Sequence, residues 1–249
     1  MTRYGWARLV IVVAAALALE ILCRANVIHR LILIPPSEML ASAWQILVSG
    51  EMKADLYFSL VNIAFAIVLS VAGGFLTGLA IYSVPLLRDS VEPFLATYSA
   101  VPPIVFYPML IVIFGLNRVP QIIIAVMFGL VPMAMNTING LRRIRPVFLK
   151  VGRTHRISVF HSVFRIQLPA AAPYLFVGVT LAVSYSVIGV ISTEFILSAS
   201  GVGHQISFAY DNFDNRTMYG LVVLLLGIAT LLNATLRYYS QRMLQRWAR

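Results

Sequence analysis

The sequence predicts an all-α fold, a polytopic membrane protein with about six transmembrane helices, and three observations carry that prediction. Of the 249 residues, 60% are hydrophobic and 11% are charged, against about 25% charged in soluble domains; the mean hydropathy is +0.87. The apolar residues fall into stretches of about 20, the length needed to cross a hydrocarbon core about 30 Å thick. The basic residues, finally, collect in alternate connections between those stretches, as they do in membrane proteins, whose cytoplasmic loops retain Lys and Arg.

The stretches long enough to span are 9–28, 57–83, 93–115, 119–140, 170–195 and 218–237. Arg3 and Arg8 precede the first, but the run continues to about Ile28 without a small-residue cleavage site, so it reads as a retained helix rather than a signal peptide. Cys23, the single cysteine, reads as a small apolar packing residue. After Ile34-Pro35-Pro36, Ser37 is a candidate N-cap for a short interfacial helix from Glu38 to Val48. Pro102, Pro103, Pro108 and Pro132 interrupt the third and fourth spans, with Gly115 and Gly129 nearby. Proline removes a backbone donor and kinks a helix, and in a bilayer the freed carbonyls must be satisfied by protein or water, so kinked helices around a cavity are expected. The chain forms one domain over 1–249, with a cytoplasmic loop at about 141–168 and an outer loop at about 196–217. Placing both termini in the cytoplasm puts 14 of the 19 Lys and Arg inside, with Arg142, Arg143, Arg145, Lys150, Arg153 and Arg156 in that one loop.

Several function classes lack the residues they need. The net charge of +10 is absorbed by the cytoplasmic loops, which removes the argument for nucleic acid. A P-loop needs Gly-Lys-Ser/Thr, and the two lysines, Lys53 after Met52 and Lys150 after Leu149, belong to no such motif. If ATP powers this protein, another polypeptide binds it together with magnesium. The histidines His29, His155, His161 and His204 include no i, i+4 pair of metal ligands, and no catalytic arrangement is legible, so no metal, catalytic residue or cofactor is assigned to this chain.

Two groups of residues remain. Glu194 lies near the outer end of the fifth span, where a charge costs a few kcal/mol unless paired or hydrated; it faces a pathway or outer gate, or it is an interfacial carboxylate reaching water or bonded to nearby backbone amides. Gly201 and Gly203 shape a turn in the outer loop, and with Pro102 and Pro103 they complete the pathway or gate candidates. Glu20 reads as a packing or interfacial carboxylate of the first helix. The second group is the segment from Arg153 to Arg165, where Ile157, Phe160 and Phe164 make one apolar stripe on a short amphipathic helix that ends at Leu168-Pro169. Such a helix could lie on anionic lipid or dock in a groove of a soluble partner.

At this helix and its Leu168-Pro169 the sequence resembles the permease subunits of binding-protein-dependent ABC importers, whose cytoplasmic pattern Glu-Ala-Ala, Gly, Leu-Pro forms a coupling helix for the ATP-binding subunit. The likeness is closest to the nitrate/sulfonate/taurine type. It rests on Leu33-Ile34-Pro35-Pro36-Ser37, Val101-Pro102-Pro103-Ile104, Pro108-Met109-Leu110, Phe114-Gly115-Leu116, Pro132, Asn136-Thr137, Gly140-Leu141, Glu194-Phe195 and Ser200-Gly201-Val202-Gly203. The resemblance implies a type I ABC importer permease fold in a bacterial inner membrane. It also implies a homodimer, ABC ATPase subunits at the coupling helix (Lys150, Arg153, Arg156, Ile157, Phe160, Phe164, Leu168, Pro169) and a solute-binding protein outside. Where the family has Glu-Ala-Ala this chain has Lys150-Val151-Gly152, and Arg156 stands at the family's glycine; either the partner has changed to match or coupling is abnormal. The competing readings are a secondary transporter or channel acting alone, and a non-transporting scaffold subunit.

Overall fold

The computed structural model describes residues 3–98, 101–154 and 158–247, which contain helices and no strands. The helices are α1 (Arg3–Arg24), α2 (Pro36–Ser49), α3 (Lys53–Ser83), α4 (Pro85–Tyr98), α5 (Tyr107–Phe114), α6 (Arg118–Arg142), α7 (Pro146–Thr154), α8 (Val159–Ser162), α9 (Leu168–Leu197), α10 (Val202–Asp211) and α11 (Asn215–Trp247). Four helices among the described residues are long and apolar enough to cross a membrane: Lys53–Ser83, Arg118–Arg142, Val163–Leu197 and Asn215–Met243. α1, with 22 residues, also has the length of a span.

The expected third span, 93–115, is not one helix. α4 ends at Tyr98, Pro103–Phe106 forms a 3₁₀ turn, and α5 has 8 residues, about 12 Å of rise. The reason is the proline pair: Pro102 is held extended at φ −64° and ψ 118°, because the residue before a proline is pushed out of the helical region. Leu168-Pro169 does the opposite of what the sequence reading assigns to it. The chain winds from Val159 through a π-helical turn at Val163–Gln167 straight into α9. In an α-helix Pro169 would withdraw the donor from a carbonyl one turn earlier; the wider turn, in which Leu168 N–H bonds to Val163 O, shifts the register at that point.

The chain divides into two compact units. The first comprises Met1–Phe58 with Glu194–Ile228. Here Ser37 is not the N-cap of α2; that position is Pro35, with Pro36 opening the helix, where a missing N–H costs nothing. Ser37 instead donates its N–H to Glu20 Oε2 at 3.0 Å and its hydroxyl to Oε1 at 2.6 Å, while Arg24 Nε bonds the same Oε1 at 2.6 Å. Glu20 of α1 thus caps α2, a more specific role than the packing or interfacial one expected of it. The α1–α2 connection is tied to α11 by Asn215 Nδ2, which donates to Leu31 O at 2.7 Å, and by Tyr219 Oη, which donates to Ile32 O at 2.5 Å.

The second unit comprises Ser59–Thr193 with Ala229–Arg249. Its packing depends on close backbone approach. A Cβ added at Gly74 would stand 2.6 Å from Leu130 O, and one at Gly78 would stand 2.7 Å from Ala134 O. These two glycines of α3 are four residues apart, the spacing that lets membrane helices pack closely. The α3–α6 contact is reinforced by a buried Asn62 Nδ2 to Gln121 Oε1 bond of 2.9 Å, and a Ser70 to Ser186 hydroxyl pair at 3.0 Å joins α3 to α9. Side chains such as Val112 (87% exposed) and Leu86 (78% exposed) remain uncovered, a surface that water would penalise and lipid accepts.

Candidate functional site

In the first unit the sequence-nominated Glu194, Gly201 and Gly203 come together. The α9–α10 connection is a tight turn in which Ser198 Oγ bonds Ser200 O at 2.7 Å and Gly201 takes φ +107°. That φ lies in a region closed to side-chain-bearing residues, so the glycine is required. Glu194 is fully buried, and its Oε2 accepts the Gly203 N–H at 3.1 Å, placing a carboxylate at the positive end of α10, where it is electrostatically favoured. A second carboxylate completes the site. Asp55, in the first turn of α3, accepts the Gly201 N–H through Oδ1 at 2.7 Å and Gln205 Nε2 through Oδ2 at 2.8 Å. Two acids therefore hold one glycine turn and the helix it starts. Asp55 escaped the sequence reading; its only signal is an acidic residue opening an apolar helix, which reads as ordinary N-terminal charge compensation.

In the second unit Pro102 and Pro103 form part of the wall of a cavity of about 290 Å³, completed by Tyr98, Val101, Met127, Phe128, Val131, Pro132 and Tyr185. The break in the expected third span and the internal proline of α6, Pro132, thus border one space. α6 carries Pro132 internally, and Asn136 Nδ2 donates to the Pro132 carbonyl at 2.8 Å. Among the described residues the cavity wall carries aromatic rings, two tyrosine hydroxyls and no charged residue.

The basic segment is described in part. Lys150 is exposed on α7, Phe164 is 55% exposed, and Leu168 and Pro169 are half-buried at the π-turn. Arg156 and Ile157 lie outside the described residues, as do the side chains of Arg153 and Phe160. Arg143, just past α6, donates to Tyr174 Oη at 2.9 Å with its guanidinium 5.3 Å from the ring centroid.

Long apolar helices, a proline-walled cavity and a cationic segment are those of an integral membrane protein with a space between its helices, and the family match makes it one of the transporter class. Residues 70–249 match the family described as binding-protein-dependent transport system inner membrane component, and the chain belongs to that family: it is a permease subunit of the ABC importer type. It is 22% identical over 244 residues, 98% of this chain and 88% of its relative, to a Bacillus subtilis (strain 168) protein named as an aliphatic sulfonates transport permease, SsuC. It is 25% identical to the taurine transport system permease protein TauC of Escherichia coli (strain K12), covering 88% of this chain and 81% of that one. To the nitrate import permease protein NrtB of Leptolyngbya laminosa it is 24% identical, over 80% and 68%. Among solved structures it shares the fold of a chain from the MetNI methionine ABC transporter in inward-facing conformations, with a TM-score of 0.58, 19% identity, and coverage of 86% of this chain and 97% of that one.

Proposed function

We propose that two copies of this chain form the translocation path of an ATP-driven importer in a bacterial inner membrane, with both termini in the cytoplasm. A solute-binding protein delivers the substrate from outside, and a pair of ABC ATPase subunits binds ATP and magnesium and engages the segment around 141–168. Family membership supports this over a transporter acting alone, and the 14-to-5 split of basic residues supports the orientation. The whole chain acts as one permease domain.

The observation that carries the reading is the cavity at Pro102 and Pro103. Prolines free backbone carbonyls where a helix would satisfy them, which is tolerated at membrane depth only beside protein or water. Relatives named for sulfonates, taurine and nitrate suggest a small anion, and the aromatic, uncharged wall suits one with an apolar body better than bare nitrate. Glu194, Asp55, Gly201 and Gly203 serve as an outer gate whose glycine turn the carboxylates fasten. Val101→Trp tests the path: Val101 lines the cavity and is 45% exposed, so the indole enters the space without displacing core. Uptake falls at unchanged membrane abundance; unchanged uptake moves the path elsewhere. Mass spectrometry of the ligand carried by the cognate binding protein names the solute.

A further inference from the structure

A second cavity, of about 340 Å³, lies between α9 and α11, lined by Phe176, Val177, Thr180 and Leu181 on one side and Arg237, Ser240 and Gln241 on the other. We infer that it is a binding site for the phosphate headgroup of an anionic phospholipid, with Arg237 as the charged ligand and the α9 side chains as the seat of the acyl chain.

Depth is the first argument. Arg237 stands about 33 Å along α11 from Asn215, and Phe176 about 32 Å before the end of α9 at Leu197, at 1.5 Å per residue. Counted along either helix, the cavity falls one hydrocarbon thickness, about 30 Å, from the opposite end. Tyr238 and Tyr239, 51% and 62% exposed, stand at the same level, as aromatic side chains do at a membrane interface.

Chemistry is the second. The two helices are joined by Ser184 Oγ to Asn233 Oδ1 at 3.0 Å, one turn from the cavity, so its walls are fixed. Below that pin, Arg237, Ser240 and Gln241 make no hydrogen bond or ion pair among the described residues, and no acid lines the cavity. A guanidinium, a hydroxyl and an amide therefore line one space whose other wall is apolar except for Thr180, whose hydroxyl donates to Phe176 O at 2.9 Å. Phosphate suits the donors, and Val177 (51% exposed) and Leu181 (36% exposed) suit an acyl chain. Free phosphate would use only the first half of the site. Basic pockets between membrane helices favour anionic headgroups for these reasons.

Native mass spectrometry of the full-length, delipidated permease titrated with dioleoylphosphatidylglycerol or dioleoylphosphatidylcholine tests the site. The anionic lipid binds more tightly than the zwitterionic one. Arg237→Gln weakens the anionic lipid about tenfold, the loss of one charge-assisted hydrogen bond, and weakens the zwitterionic one, whose phosphate is already balanced by its own choline, by less. Arg242→Gln, whose guanidinium stacks on Tyr238 at 4.4 Å and does not line the cavity, keeps wild-type binding. Leu181→Trp, which fills the cavity from α9, lowers retention of the anionic lipid with all the polar ligands in place. Equal affinity for the two lipids overturns the assignment, as does wild-type retention in Arg237→Gln or Leu181→Trp. Displacement of phosphatidylglycerol by millimolar inorganic phosphate overturns it too, making the site one for a soluble anion.

Discussion

The backbone N–H of Gly201 donates to Asp55 Oδ1 at 2.7 Å across 146 residues of sequence, and the same carboxylate takes Gln205 through its other oxygen at 2.8 Å. Both ends of α10's first turn thus hang on one side chain. Hydrogen bonds to a charged group contribute about 1.5–3 kcal/mol each, at the lower end for this partly buried site. Asp55→Ala is expected to speed hydrogen exchange at the Gly201 amide and to lower uptake, whereas Asp55→Asn, which retains one carbonyl acceptor, falls between. Wild-type exchange in Asp55→Ala would mean the turn holds itself.

Gly201 and Gly227 make a matched pair of substitutions. At Gly201 the φ is +107° and a Cβ would stand 2.5 Å from Glu194 Oε2; at Gly227, in the middle of α11, a Cβ meets nothing within 4 Å. Gly201→Ala is expected to lower thermal stability in detergent and reduce uptake. Gly227→Ala leaves uptake intact and raises stability by up to about 1 kcal/mol, the helix-propensity difference. Equal effects would remove the argument that Glu194 and the turn are fitted to each other.

What the sequence disclosed follows from distance along the chain. Glu194, Gly201 and Gly203 lie within ten residues, so one turn could bring them together and the residue types announced it. Asp55 reaches them only through tertiary packing, which no local pattern encodes. The long helices were legible because Lys53–Ser83 and its counterparts are uniformly apolar, while 93–115 is equally apolar and yet broken, since Pro102-Pro103 sets backbone angles that hydropathy does not register. Leu168-Pro169 erred the other way: a proline usually ends a helix, but the π-turn at Val163–Gln167 absorbs it. The glycines of α3 went unread because a glycine in an apolar run gives no sign of what will press against it.

Those glycines supply a third expectation. With Leu130 O 2.6 Å from a Cβ at Gly74 and Ala134 O 2.7 Å from one at Gly78, larger side chains must push α3 and α6 apart. Overpacking of this kind costs about 1–3 kcal/mol per site. Gly78→Ile should reduce the amount of folded protein recovered from membranes, and Gly74→Ile with Gly78→Ile more so. Undiminished recovery of the double variant would contradict the helix contact.

The proposed ATPase-binding segment is tested by charge. Lys150 is exposed, and the proposed assembly expects the partner to present a carboxylate to it. Phe160→Asp should abolish copurification of the ATPase while the chain remains inserted. Lys150→Glu should weaken it, with recovery when the partner's acid is reversed. Copurification and full transport by Phe160→Asp would exclude this segment as the coupling element.

Uptake measured in proteoliposomes built from this chain, its ATPase subunits and its binding protein tests the central claim most directly. Accumulation of the bound solute should require ATP and all three components and should fall when Val101→Trp fills the cavity. Solute accumulation by this chain alone, driven by an ion gradient without ATP, would contradict the account.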